Sequence, residues 1–63
     1  MQYYRVTSDQ DTERIEIMRS ISPKYCAFQA FQVYGKKDMQ VTVQEGACDG
    51  NGIFTPIKNP LTY

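Results

Sequence analysis

The chain has 63 residues, with seven Lys plus Arg, seven Asp plus Glu and no His, so its formal net charge is zero. A chain this short forms one small domain at most and encloses no active-site cleft of ordinary size. Without His it has no neutral-pH acid–base switch and no imidazole metal ligand, and the balanced charge argues against a polyanion binder that works through bulk electrostatics.

The opening Met1-Gln2-Tyr3-Tyr4-Arg5 lacks an apolar core region, which predicts no signal peptide. Residues 3–7 (Tyr-Tyr-Arg-Val-Thr) have the composition of a strand, and Ser8-Asp9-Gln10-Asp11 has turn chemistry. Residues 13–19 alternate, with Ile15 and Ile17 on one face and Arg14, Glu16 and Met18 on the other. Charge selects a hairpin register: Val6 opposite Ile15, Tyr4 opposite Ile17 and Arg5 opposite Glu16, because a slip of two residues would set Arg5 against Arg14. This register expects Ile15 and Ile17 on the core side.

Ser22-Pro23 reads as a helix start, with Ser as N-cap and Pro where its missing N–H costs nothing. The helix is expected over 23–34, closed by Gly35, with Lys36 and Lys37 beside the negative end of its dipole. Ala27, Ala30, Phe31 and Tyr34 make its core stripe. Residues 25–34, broken by Gln29 and Gln32, form the longest mostly apolar stretch, far below the roughly 20 residues that span a bilayer. The expectation is a cytoplasmic protein without membrane association.

Residues 39–45 alternate again, with Met39, Val41 and Val43 inward. Residues 46–52 are a glycine-rich turn, residues 53–57 a short last strand that Pro56 confines to an edge, and 58–63 a C-terminal tail to a domain spanning 1–57. The fold class that follows is α+β: a small antiparallel sheet of order β-β-α-β, with a fourth edge strand from 53–57, and one helix packed on one face.

No pattern carries catalysis. Cys48 has no histidine to activate it, and no pair of carboxylates is positioned to share a pocket. Asp49-Gly50-Asn51-Gly52 is not followed by the Glu of a calcium loop or by the helix of a phosphate cradle, so it reads as a hairpin connection with residues at positive φ. Two cysteines without His make no zinc site within one chain; the expectation is a buried thiol at Cys26 and a loop thiol at Cys48, with a disulfide or an intermolecular link as the alternative. The sequence therefore predicts no enzyme, no catalytic residue, no metal and no cofactor.

Three features point to partners. Tyr25 and Phe28 cannot share a sheet-facing stripe with Phe31 and Tyr34. Either the tail covers them through Phe54, Ile57 and Leu61, or they form an exposed aromatic patch with Gln29 and Gln32 that docks a protein or a second copy. Tyr3, with Arg5 and Arg14, is expected on the open sheet face, either as an ordinary solvated surface or as a stack for nucleobases. Asp9, Asp11, Glu13 and Glu16 cluster at the hairpin tip, a solvated turn or a meeting point for a basic partner.

In layout the chain resembles small host-takeover proteins encoded by bacteriophages and other mobile elements. The residues that carry the likeness are the hairpin of residues 3–18, the Ser22-Pro23 helix start with Ala27 and Ala30, and the strand of residues 39–44. The resemblance implies a strand–strand–helix–strand fold that acts by sticking to one larger host protein in the host cytoplasm, as an inhibitor or adapter. The candidate partner-binding residues are Tyr25, Phe28, Gln29, Gln32, Tyr3, Arg5 and Arg14. A nucleic-acid binder using Tyr3, Arg5, Arg14, Lys36 and Lys37 is the second reading. A structural subunit of a virion or other assembly is the third. The expected state is a monomer, or a homodimer closed through the helix or the last edge.

Overall fold

The computed structural model describes residues 1–35 and 38–63. Two strands, β1 (Gln2–Ser8) and β2 (Asp11–Ser20), are followed by helix α1 (Pro23–Tyr34) and strands β3 (Val41–Cys48), β4 (Phe54–Pro56) and β5 (Leu61–Thr62). The sheet is antiparallel in the order β2-β1-β3-β4, with β5 also on β3, and α1 packs on one face. This is the expected α+β architecture.

The helix starts where Ser22 stops it from starting earlier. The Ser22 backbone is extended, and its side chain accepts the amide of Tyr25, with Pro23 in the first turn. The helix ends at Gly35, which adopts φ 64 and returns its N–H to the Phe31 carbonyl. The inward stripe is Cys26, Ala27, Ala30 and Tyr34, with Phe31 packed at its margin. Small residues at 26, 27 and 30 let the helix lie close over Tyr4, Val6, Val41 and Val43 of the two central strands. The basic pair Lys36 and Lys37, expected to complement the helix end, lies outside the described residues.

The hairpin register differs from the expectation by one residue. Tyr4 pairs with Met18, Arg5 with Ile17 and Val6 with Glu16. A shift of one residue moves every side chain of a strand to the other face. Met18, not Ile17, therefore packs against the core, its sulfur 3.9 Å from that of Cys26. Ile15 and Ile17 face outward, 61% and 40% exposed. A bulge absorbs the difference: two steps along β1, from Val6 to Ser8, match five along β2, from Glu16 to Asp11. The charge argument fails because Glu16 finds its cation within its own strand, Arg14 Nε at 2.7 Å, and does not need Arg5.

The segment read as a tail carries β5. Leu61 and Thr62 pair with Val43 and Thr42, and Tyr63 exchanges both backbone hydrogen bonds with Val41. Along this edge five residues of β3, from Thr42 to Gly46, face seven of the outer segment, from Pro56 to Thr62. The extra length bows outward, held by the amides of Ile57 and Lys58 on the Glu45 carbonyl and by Gln44 Nε2 on the Lys58 carbonyl. Proline, lysine and a bulge on an outermost strand are common ways of blunting a sheet edge. The β3–β4 connection is a hairpin turn shorter than the expected 46–52, because residues 46–48 extend β3 by pairing with β4. In the turn Asp49 Oδ1 accepts the amides of Asn51 and Ile53, and Gly52 takes φ 79.

Candidate partner-binding surfaces

The molecule presents two surfaces. The first is the outer side of α1. Tyr25 and Phe28, one turn apart, are 52% and 53% exposed, and Gln32 is exposed one turn further on. Gln29 is half-buried, and its Oε1 is a buried oxygen without a hydrogen-bond partner. The tail does not cover this side. β4 and β5 run along β3, and Phe54 turns to the opposite face of the sheet, where its ring lies against Gly46.

The second surface is the sheet face away from the helix. Pairing places Tyr3 beside Arg19 and Gly46, Arg5 beside Ile17 and Gln44, and Thr7 beside Thr42. The Arg19 guanidinium lies 5.5 Å from the Tyr3 ring centre, and that of Arg5 lies 5.3 Å from the Phe54 ring centre while donating to Gln44 Oε1. Between Ile15 and Pro60 the face dips into a depression of about 310 Å³, floored by Arg5, Thr7, Thr42 and Gln44.

Of the predicted surface residues, Tyr3 and Arg5 come together here. Arg14 does not: it sits on the helix side, 4.7 Å from the Tyr34 ring centre, bonded to Glu16. Sequence reasoning missed Arg19, Phe54, Ile15 and Ile17. The two isoleucines follow from the register. Phe54 reaches Arg5 through the β3–β4 hairpin, a contact without a local sequence signal. The acidic tip is partly committed to structure, since the Asp9 amide donates to the Gln40 carbonyl and its Oδ1 accepts the Gln40 amide.

Glu45 lies on the helix side, where Tyr4 donates to its Oε1 at 3.4 Å and Lys58 Nζ stands 3.5 Å from its Oε2. Burial, then the Glu45 charge, pushes the Tyr4 phenol above its ordinary value. Burial likewise pushes the Cys26 thiol up. Both cysteines are free; Cys26 is buried as expected, and Cys48, partly exposed, ends strand β3 opposite Phe54 instead of sitting in a loop. No helix of the described residues is long and apolar enough to cross a membrane.

Compared with family models, curated proteins and solved structures, the chain matches none.

Proposed function

We propose that this protein is a non-catalytic protein-binding module, a cytoplasmic accessory protein of a phage or other mobile element that inhibits or adapts a larger host protein. The observation that carries the reading is the half-exposure of Tyr25 and Phe28 on the outer side of α1, with β4 and β5 drawn away to the sheet. Water contact with two aromatic side chains one helical turn apart is unfavourable, and a partner that covers them recovers that cost. Tyrosine and phenylalanine are suited to the task, because rigid rings lose little rotamer entropy on docking.

The test is affinity capture from bacterial lysate with the tagged protein, split into nuclease-treated and untreated halves. One host protein held in stoichiometric amount in both halves, and lost with Phe28→Asp, is the expected result. Recovery that vanishes with nuclease would replace the reading with nucleic-acid binding. A column holding bait alone would replace it with self-assembly.

A further inference from the structure

We propose that the open sheet face is a second docking surface, built for an acidic, extended polypeptide segment. It lies across the sheet from Tyr25 and Phe28. It rests on the protein-binding reading and adds a distinct contact to it.

The case rests on charge segregation. Although the chain is neutral overall, Arg5 and Arg19 are the charged residues that strand pairing places on this face among the described residues. Asp11 pairs with buried Ser8 on the opposite face, and Glu13 stands in the bulged stretch of β2 that has no register partner; the carboxylates Glu16 and Glu45 occupy register positions of the opposite face. Arg14 and Lys58 take those carboxylates, and no carboxylate among the described residues pairs with Arg5 or Arg19.

Each of these two guanidiniums lies against a ring, Arg5 on Phe54 and Arg19 on Tyr3. A guanidinium seated over a ring keeps N–H donors at its edges; one of Arg5's goes to Gln44 Oε1, and its remaining donors with those of Arg19 suit a planar acceptor such as a carboxylate.

The surroundings favour a polypeptide over a nucleic acid. The arginines already cover one side of the Tyr3 and Phe54 rings, which limits stacking of bases. The rest of the surface is aliphatic and hydroxylic, with exposed Ile15 and Ile17 beside the depression that Thr7, Thr42 and Pro60 help to line. A segment alternating carboxylates with small apolar side chains matches both the charges and the isoleucines. Two cations on a neutral chain are too few to hold a phosphate backbone by counterion release.

The intact protein is titrated with a fluorescent twelve-residue peptide repeating Glu-Thr-Glu-Val, with its Lys-Thr-Lys-Val counterpart, and with an oligothymidylate of equal length. Saturable binding of the acidic peptide alone is expected, weakening with added salt. Arg5→Gln with Arg19→Gln should weaken it roughly tenfold. Arg19→Gln alone, at an exposed position, should weaken it about threefold with the circular-dichroism spectrum unchanged. Tyr25→Asp should leave peptide affinity unchanged, which separates failure here from failure of the helix-side reading. No saturable peptide binding, equal binding of the lysine peptide, tighter binding of the oligothymidylate, or an unaffected arginine double variant would each overturn the proposal.

Discussion

At Gly46 the sheet has no room for a side chain. A Cβ there would run into the Phe54 ring and the Thr55 carbonyl oxygen, and a backbone oxygen cannot swing away as a flexible side chain can. The absent side chain is what lets the Phe54 ring occupy the open face over Gly46, within reach of Arg5. Gly46→Ala is therefore expected to destabilise the protein by about 1–3 kcal/mol, the usual cost of overpacking. A urea titration measures this, and an unchanged midpoint would mean that Phe54 is not seated there. Arg5 illustrates the same dependence. Its neighbours Gln44 and Phe54 lie on strands far along the chain, and its role comes from them.

The elements themselves were largely legible in the sequence. Ser22-Pro23 and Gly35 mark the helix because capping is a local matter: a side-chain acceptor at one end, a left-handed residue at the other. The inward pair Val41 and Val43 follows from simple alternation on a strand the helix covers, and Met39 is buried as expected, but it precedes the strand, which runs from Val41 to Cys48 and not over 39–45. The β1–β2 register was not legible. β2 is the margin of the sheet, so alternation there does not say which face is buried, and the bulge between Asp11 and Glu16 uncouples strand spacing from the turn. The candidate site shared this fate. Tyr25 and Phe28 could be singled out from helical spacing, whereas Phe54, Ile15, Ile17 and Arg19 depend on register and on the second hairpin. The register can be checked by paired substitutions. Met18→Ala should cost about 2 kcal/mol, at the low end for a side chain only partly buried in the core, and Ile17→Ala less than half of that. The reverse order in chemical denaturation would support Ile17 as the inward residue.

Across the whole molecule, stability is tied to protonation at three buried groups. Cys26, Tyr4 and Tyr34 all hold their protons more tightly in the fold than their ordinary values of 9.0, 10.0 and 10.0, with burial as the main cause; Glu45 adds to it at Tyr4, and Arg14 partly offsets it at Tyr34. The fold thus favours the neutral forms. Their contribution is intact below those ordinary values and is lost as pH rises through the folded-state values. The melting temperature should begin to fall above about pH 9, and Cys26→Ala should move the onset toward the tyrosine range. A melting temperature that holds steady well past the tyrosine range would contradict this. The same whole-molecule view gives two outer surfaces, one on the helix and one on the far side of the sheet, an arrangement that the proposed adapter role would use as readily as the proposed inhibitor role. The central claim is that the outer side of α1 serves a partner rather than the fold. Its most direct test measures thermal unfolding and partner capture together for Tyr25→Asp and Phe28→Asp. The account predicts melting temperatures within a few degrees of the parent, since surface substitutions cost about 0.5 kcal/mol or less, together with loss of the captured protein. Unfolding of both variants would show that these rings belong to the core, and undiminished capture would show that the partner binds elsewhere.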